Sequence, residues 1–295
     1  METIAVFTKN RTNPAYEAAR IGAERTAARM GARALHFVPE RPDDIEQQIA
    51  LVDRALEARP DAVVFVPVHL TALDGAVRKV NAAGIPIVNI LNRMPVGEVV
   101  TFVGSDDHGL GRAIAGYLFR HLGGKGEVAM MEGVRAAVTS RDRVRGFRDA
   151  AREWPAIRLT ETPPGDFQET TARRVMEEFL ARGSRIDGVL SANDAMALGV
   201  LSALEAAGRS VPVIGVNAVP DAITAIKAGR LLATVDFDAM KISAVATEAA
   251  LRHLRGEVVP REIILSTQIV DRANCLAWDV PLERRQCPAW SDVVR

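Results

Sequence analysis

Segments with the pattern of strands and segments with the pattern of helices alternate along almost the whole chain, and this alternation limits the fold more than any other feature. The run 62–68 (AVVFVPV) is continuously apolar, as expected for a strand that is buried on both faces of a parallel sheet. The segment before it repeats apolar residues at helical spacing, at Ile45, Ile49, Val52 and Leu56. Strand–helix units of roughly 30 residues predict right-handed crossovers and a doubly wound parallel sheet.

The same alternation occurs in both halves of the chain, which suggests two similar α/β lobes. A length of 295 residues exceeds what one ordinary hydrophobic core organises. Lys and Arg together number 37, as do Asp and Glu, so the formal charge is balanced and we expect no nucleic-acid partner. No apolar run reaches the ~18 residues that a membrane-spanning helix needs.

The start of the chain leaves the compartment open. The first residues lead directly into a predicted strand at 4–9, and no signal peptide precedes it. Either the protein is cytoplasmic, or a cleaved leader has been replaced by a starting methionine. The two cysteines, Cys275 and Cys287, lie in an irregular C-terminal tail, where a disulfide and two free thiols are both compatible with the sequence.

Polar side chains follow several of the predicted strands, at the edge where open α/β sheets bind ligands. Most are Asn, Asp or Arg, whose planar groups form paired hydrogen bonds with adjacent hydroxyl groups. Nearby aromatic residues offer flat apolar faces for the C–H side of a sugar ring. The set consists of Lys9, Asn13, Tyr16, Asn92, Arg93, Arg141, Phe167, Asn193, Asp194, Asn217 and Phe237. Any one of them could be a turn or cap residue, but together they favour a small, hydroxyl-rich, mostly uncharged ligand.

The segment 188–204 shows this arrangement most clearly. A short apolar run is followed by Asn193 and Asp194, and then by a helix rich in Ala, Met and Leu. We expect Asp194 to cap that helix, which leaves Asn193 for recognition.

Signatures of enzymes are mostly absent. The glycines of 104–111 look like part of a dinucleotide-binding loop, but Ile114 stands where the third glycine would be. The sequence contains neither G-x-S-x-G nor H-E-x-x-H, and its five histidines are scattered. We therefore expect no catalytic residue, no cofactor and no metal.

Six motifs, taken together, resemble the periplasmic sugar-binding proteins of the ribose/galactose type, whose lobes also occur in LacI-type regulators. The similarity covers roughly residues 3–269, which is most of the chain. The motifs are 13–16 (NPAY), 84–88 (GIPIV) leading to Asn92 and Arg93, 104–106 (GSD), 141–147 (RDRVRGF), 193–199 (NDAMALG) and 213–217 (VIGVN).

The resemblance implies the type I periplasmic binding protein fold, in which two doubly wound parallel-sheet lobes are joined by a three-segment hinge and close on a sugar. The N-terminal lobe would comprise residues 1–104 and 238–267. The C-terminal lobe would comprise residues 105–237 and 268–295, including a C-terminal extension. The hinge segments would lie near 104–107, 236–239 and 267–271.

The resemblance also implies which side chains line the cleft between the lobes. The N-terminal lobe would contribute Asn13, Tyr16, Asn92 and Arg93. The C-terminal lobe would contribute Arg141, Phe167, Asn193 and Asn217, and the hinge would contribute Phe237. Lys9 and Asp236 are additional candidates.

Three of these positions depart from the ribose-type members, which carry Asp at the positions of Asn92 and Asn217 and an amide at that of Phe237. An ionised Asp accepts strong hydrogen bonds from sugar hydroxyls, whereas Asn offers one acceptor and a donor pair. We therefore expect a less acidic pocket and a different ligand. Another pentose or hexose, a polyol, or a sugar acid paired with an arginine would fit. The negative charge of Asp236 makes a sugar acid the less favoured of these ligands.

These features predict a solute-binding protein of a carbohydrate ABC transporter. It would be a periplasmic monomer that captures a small sugar by hinge closure and presents it to a membrane permease. The alternative is the effector-binding core of a LacI-type regulator, and an enzyme acting on a sugar comes third. The tail 274–295 lies outside the resemblance and is expected to pack on a lobe, and a partner surface there stays open.

Overall fold

A computed structural model describes residues 1–183 and 185–294. The chain divides into two compact units. The first unit comprises Met1–Ser105, Asp238–Ser266 and the residues from Leu282 onward. The second unit comprises Asp106–Phe237 and Thr267–Pro281.

The elements follow one another along the described chain in the alternation that the sequence predicts. The strands are β1 (Thr3–Phe7), β2 (Arg33–Phe37), β3 (Ala62–Phe65), β4 (Ile87–Ile90), β5 (Thr101–Ser105), β6 (Lys125–Met131), β7 (Ala156–Glu161), β8 (Gly188–Ser191), β9 (Val213–Ile214), β10 (Ala233–Asp236), β11 (Glu262–Leu265) and β12 (Gln268–Asp271). The helices are α1 (Pro14–Arg29), α2 (Ile45–Glu57), α3 (Asp74–Ala82), α4 (Asp107–His121), α5 (Val138–Arg152), α6 (Glu169–Ala181), α7 (Asp194–Ala206), α8 (Pro220–Lys227) and α9 (Ala239–Leu254). None of these helices is long and apolar enough to cross a membrane.

The first unit is built on a six-stranded sheet whose strand pairs are parallel, in the order β11-β5-β4-β3-β1-β2. β1, β3 and β4 are buried along their whole length, which explains their continuous apolar runs. Phe7 packs against both Phe37 and Phe65 with ring centroids 5.0 Å apart. The strand order reverses between β1 and β3, so residues that follow these strands lie at a switch point of the kind that binds ligands.

The second unit contains another six-stranded sheet, in the order β12-β10-β9-β8-β6-β7. Its strands are parallel except for β12, which runs antiparallel to β10 at the edge. Here the strand order reverses between β6 and β8. The switch point therefore lies next to the segment that begins with Asn193.

Two glycines allow α4 and α5 of the second unit to approach each other closely. A Cβ atom at Gly111 of α4 would lie 2.5 Å from the backbone oxygen of Arg143, and one at Gly146 of α5 would lie 2.3 Å from that of His108. Real Cβ atoms do not come so near another atom. The close contact between the backbones brings the first turn of α4 beside Arg143.

Two predicted elements differ from the structure at their boundaries. The apolar residues of 263–269 predict one strand, which is wrong, because the segment contains the end of β11 and the start of β12, which belong to different sheets. The apolar spacing after the motif 104–106 predicts a helix from residue 110, but the helix begins at Asp107. Asp106 caps it there, with its carboxylate accepting a hydrogen bond from the Gly109 amide at 2.9 Å.

The last segment of the chain corrects the expected domain division. Residues 282–294 pack on the first unit, whereas the sequence interpretation assigned 268–295 to the other lobe. Arg25 of α1 donates to the backbone oxygen of Arg285 at 2.8 Å, and Arg252 of α9 lies 4.8 Å from the ring centroid of Trp290. The chain therefore passes between the units a fourth time, after Pro281, in addition to passages after residues 105, 237 and 266. Both cysteines, Cys275 and Cys287, are free thiols.

Candidate functional site

Asn193 stands at the carboxyl end of β8 and is the N-cap of α7. Its Oδ1 accepts a hydrogen bond from the Met196 amide at 2.9 Å, and only 1% of the residue is exposed. Its Nδ2 donates to the backbone oxygen of Phe167 at 3.4 Å. The expectation that Asp194 caps this helix is therefore wrong. Asn and Asp are nearly equal as caps, and the cap position falls on the first of the two.

Asp194 instead reaches across the edge of the sheet. Its carboxylate accepts hydrogen bonds from the Thr234 hydroxyl at 2.7 Å and from the Val219 amide at 3.0 Å. Burial raises the pKa of this carboxyl to about 6, although the two hydrogen bonds and the charge of Arg143 act in the opposite direction.

Arg143 is the buried arginine at the carboxyl edge of the second sheet. Its Nε donates to Asp107 Oδ1 at 2.7 Å, and its Nη1 donates to the backbone oxygen of Ala192 at 2.8 Å. Its guanidinium carbon lies 5.3 Å from the ring centroid of Phe237, which is itself buried. Burial raises the pKa of Asp107, and the guanidinium opposes that rise.

The structure places the predicted site residue Arg141 at an exposed position. This residue lies on the exposed face of α5, two residues before Arg143. Residues two apart on a helix point in nearly opposite directions, so only one arginine of the pair can face the strand ends. Arg143 is that residue.

Asn217 and Phe167 both lie in loops with unusual backbone conformations. Asn217 follows β9 with a φ of +127°, and its side-chain oxygen is buried without a hydrogen-bond partner among the described residues. Phe167 has a φ of +59° and is half-buried in the loop before α6. A buried acceptor without a partner among the described residues is a place where a hydroxyl donor from a ligand would be favourable.

In the first unit, Lys9 is joined to the loop after β2. Its ammonium group lies 3.1 Å from Asp43 Oδ1, and it is 2% exposed. Asn10 donates to the other oxygen of that carboxylate at 2.9 Å and accepts from the Asn13 amide at 3.0 Å. These contacts hold the segment between β1 and α1 in place.

Asn13 and Tyr16 belong to the start of α1. Asn13 caps the helix, because its Oδ1 accepts from the Ala15 amide at 3.0 Å, and Pro14 occupies the first helical position. Tyr16 is half-buried in the first turn. The cap uses the oxygen of Asn13 and leaves its amide hydrogens as donors for a ligand.

Asn92 and Arg93 follow β4 but have different surroundings. Asn92 is 4% exposed and donates to the backbone oxygen of Pro67 at 3.1 Å. Arg93 is half-exposed, forms an ion pair with Glu262 and lies 3.8 Å above the Phe102 ring. Asn92 is therefore built into the edge of the sheet, whereas Arg93 lies along the neighbouring strands β5 and β11.

Asp236 is in contact with the C-terminal tail. Its Oδ2 accepts a hydrogen bond from the indole nitrogen of Trp278 at 2.7 Å, within the second unit. This partner was not expected from the sequence, which offered Asp236 only as an additional ligand contact.

Most of the cations among these residues have carboxylate partners within their own units. Lys9 pairs with Asp43, Arg93 with Glu262 and Arg143 with Asp107. The other polar groups near them are amides, apart from the carboxylates of Asp194 and Asp236 in the second unit. Each edge therefore offers hydrogen bonds without a large net charge.

Comparison with known proteins decides the family. Residues 4–257 match the model of the periplasmic binding protein domain. The chain belongs to the periplasmic binding protein family. This family consists of binding proteins for transporters, not of enzymes.

Named relatives place this periplasmic binding protein among the sugar-binding members. It is 32% identical over 261 residues to the ribose import binding protein of Bacillus subtilis. The aligned region covers 88% of this chain and 84% of the relative. A solute-binding protein of Actinobacillus succinogenes with bound D-allose is 29% identical with a TM-score of 0.89, covering 94% of this chain and 100% of that one. A solute-binding protein of Bacillus halodurans with bound myo-inositol is 28% identical with a TM-score of 0.86, covering 94% and 97%. The predicted family and fold are confirmed, and transport is favoured over a LacI-type regulator.

The partners that hold the site together were not predicted from the sequence. Three side chains form a hydrogen bond or an ion pair with a group named above, namely Asp107, Asp43 and Thr234. None of them is among the polar residues that were predicted to follow a strand. Asn89 was also missed. It lies inside β4, and its amide nitrogen donates to the backbone oxygens of Phe65 and Asn92 at 3.1 and 2.9 Å. An amide in the middle of a buried apolar strand was the available signal, because such a group must find partners.

Proposed function

We propose that this periplasmic binding protein captures an uncharged sugar or cyclic polyol and delivers it to the membrane permease of an ABC transporter. The pairing of Lys9, Arg93 and Arg143 with carboxylates carries this proposal. A neutral ligand exchanges hydrogen bonds with such edges and needs no unpaired counter-charge.

In this proposal, the ligand binds between the two units and is held by both. A ligand shifts the equilibrium between open and closed forms only through contacts that it makes in the closed form. The second unit contributes Arg143, Asn193, Asn217, Phe167 and Phe237. The first unit contributes Asn13, Tyr16, Asn92 and Arg93, and Lys9 and Asp236 act through their partners. The protein works as a periplasmic monomer.

The names of the relatives support a ring-shaped ligand with several hydroxyl groups. Ribose, D-allose and myo-inositol appear in the names of the three proteins compared above, and all are neutral polyhydroxylated molecules. In this chain, Asn92 and Asn217 supply amides at the sheet edges. An amide donates and accepts at once, so it matches a hydroxyl that also does both.

The same pairing argues against a sugar acid. Arg143 keeps further N–H donors beyond those that serve Asp107 and Ala192, but its positive charge is already balanced by Asp107. Bringing a second carboxylate beside Asp107 would add a like charge in a buried environment, where repulsion is strong.

The test is calorimetric titration of the full-length protein with D-ribose, D-allose, myo-inositol and a matched pair, D-glucitol and D-gluconate. We expect at least one neutral compound to bind with a Kd of the order of 1 µM, and D-gluconate to bind more weakly than D-glucitol. Preference for the anionic member of the pair would contradict the neutral-ligand proposal. Absence of binding to every neutral compound would contradict it as well.

A further inference from the structure

The loop that carries Asn217 has a backbone conformation that residues other than glycine rarely adopt. Asn217 has a φ of +127° and the next residue, Ala218, has a φ of +53°. Two successive positive values in non-glycine residues persist only where surrounding contacts impose them. The side-chain oxygen of Asn217 is buried there with no hydrogen-bond partner in the described part of the chain.

Hydrogen bonds at each residue impose this conformation. The Asn217 amide donates to the backbone oxygen of Val235 at 2.9 Å, the Ala218 amide donates to the Thr234 hydroxyl at 3.3 Å, and the Val219 amide donates to Asp194 Oδ2 at 3.0 Å. The Thr234 hydroxyl in turn donates to Asp194 Oδ1 at 2.7 Å. Two of the three bonds therefore depend on one carboxylate, one of them directly and the other through Thr234.

A glycine in the adjoining segment leaves room for the carboxylate of Asp194. A Cβ atom at Gly215, in the same loop, would lie 2.2 Å from Asp194 Oδ1. The Asp194 amide also donates to the backbone oxygen of Val216 at 2.8 Å. Backbone and side chain of Asp194 thus both contact the segment that leads to Asn217.

We propose that Asp194 is a positioning residue for ligand binding: its ionised carboxylate holds loop 217–219 so that the Asn217 side-chain oxygen stays available to a ligand hydroxyl, and protonation of Asp194 weakens that hold. This inference rests on the proposed function, because it takes Asn217 as a ligand contact. It adds that binding is sensitive to acid.

The chemistry of the carboxylate explains the acid sensitivity. The ionised group accepts on both oxygens, and both incoming groups are donors. A neutral carboxyl accepts more weakly than a carboxylate, and a proton on Oδ1 would make the Thr234 hydroxyl turn and accept instead of donate, so the hold on the loop would weaken. Burial raises the pKa of Asp194 to about 6, which places this change in an accessible pH range.

The elements packed around Asp194 contribute few groups that could cause the same effect. β10 contributes the Thr234 hydroxyl, and the loop before α8 contributes backbone amides, neither of which titrates in this range. α5 contributes the charge of Arg143, which is paired with Asp107 of α4. Asp107 is the other buried carboxyl near the site whose pKa is raised, so the experiment must separate the two residues.

The experiment compares the affinity of wild-type protein and variants for D-ribose, D-allose and myo-inositol by calorimetry at pH 7.5 and pH 5.0. We expect Asp194→Asn to weaken binding at least tenfold at pH 7.5, because its neutral amide offers the Val219 amide and the Thr234 hydroxyl one acceptor oxygen in place of two charged ones. Thr234→Val should weaken binding severalfold, and Thr234→Ser, which keeps the hydroxyl, should stay within twofold of wild type. The matched control is Thr247→Val, which removes a buried hydroxyl bonded to Ser243 in α9.

The pH profile separates positioning from general stability. Wild-type affinity should fall at least fivefold between pH 7.5 and pH 5.0, whereas Asp194→Asn should show little change over that range. A pH dependence that persists in Asp194→Asn would assign it to another group and overturn the inference. Equal affinities of wild type and Asp194→Asn at pH 7.5 would overturn it too.

Two further outcomes are distinguishable. Failure of the wild type to bind any of the three compounds contradicts the proposed function itself. If Asp194→Asn does not fold, Thr234→Val and the wild-type pH profile still decide, since unchanged affinity in both contradicts the positioning role.

Discussion

Arg143 Nε and Asp107 Oδ1 lie 2.7 Å apart in a pair that is almost completely buried, with 4% and 9% of the two residues exposed. A buried ion pair adds little to stability compared with well-packed apolar residues, but loss of one partner leaves an uncompensated charge. The pair also fixes the guanidinium that donates to Ala192, next to Asn193. The ion pair therefore serves mainly to hold Arg143 in position at the sheet edge.

Arg143→Met should lower the free energy of unfolding by roughly 3–5 kcal/mol, because it leaves Asp107 buried without its partner. The double variant Arg143→Met/Asp107→Asn should recover part of that loss, since no charge then remains buried. Urea denaturation measures both effects, and calorimetry should show loss of sugar binding in each. The matched control is Arg141→Ala on the exposed face of α5, which should change stability by less than about 0.5 kcal/mol and affinity by less than twofold. A larger effect of Arg141→Ala than of Arg143→Met would contradict this assignment.

The contact between α4 and α5 predicts opposite effects for two glycines of the same helix. Gly111→Ala should destabilise the protein by at least ~2 kcal/mol, because its Cβ would lie 2.5 Å from the backbone oxygen of Arg143. Gly116→Ala should stabilise it by about 0.5–1 kcal/mol, since alanine favours a helix and its nearest atom, in the flexible Arg120 side chain, is 3.5 Å away. Urea denaturation of both variants checks the pair. Equal effects would show that helix propensity, and not the helix contact, dominates at both positions.

The fold could be predicted from sequence because its central strands are buried on both faces and helices such as α2 on one. That contrast gives continuous apolar runs such as β3 and amphipathic runs such as α2. The break between β11 and β12 was not predicted although Ser266, Thr267 and Gln268 interrupt the apolar residues there, because nothing in the sequence indicates that the two strands join different sheets.

The site was harder to predict because it depends on the direction in which each side chain points as well as on the residue type. Arg141 and Arg143 are equivalent in sequence, and the phase of α5 decides which one is buried. Asn193 and Asp194 are both good caps, and their roles are exchanged relative to the expectation. Asp43 and Glu262, which pair with Lys9 and Arg93, are far from their partners in sequence.

The C-terminal tail should stabilise the first unit. Leu282 is 8% exposed and packs with Ala18 and Met240, and Arg29 of α1 donates to the backbone oxygen of Pro288 at 3.3 Å. Deletion of residues 282–295 should therefore lower the free energy of unfolding by roughly 2–4 kcal/mol, through lost burial and exposed apolar surface. Thermal and urea denaturation measure the loss. Leu276→Ala is the matched control, because that leucine is 71% exposed and should contribute less than about 0.5 kcal/mol. A deletion as harmless as Leu276→Ala would mean that the tail contacts do not stabilise the unit.

Asp194 should make stability and binding respond to pH in opposite directions. Its pKa is raised to about 6 in the folded protein from an ordinary value of 3.8, so the folded state binds a proton more readily than the unfolded state. The stability linked to this proton is fully present below pH ~4 and is lost as the pH rises through about 6, up to roughly 3 kcal/mol. Relative to Asp194→Asn, the wild type should therefore lose unfolding free energy between pH 4 and pH 7, even though its sugar affinity rises.

Urea denaturation of wild type and Asp194→Asn at several pH values between 4 and 7 measures that difference directly. Subtracting the variant removes the contribution of Asp107, whose pKa is raised by the same kind of burial. A difference that stays constant with pH would mean that Asp194 titrates at its ordinary value. A difference that falls while affinity increases would show that this carboxylate is kept ionised for the sake of the site, because a residue chosen for stability alone would favour the protonated or neutral form.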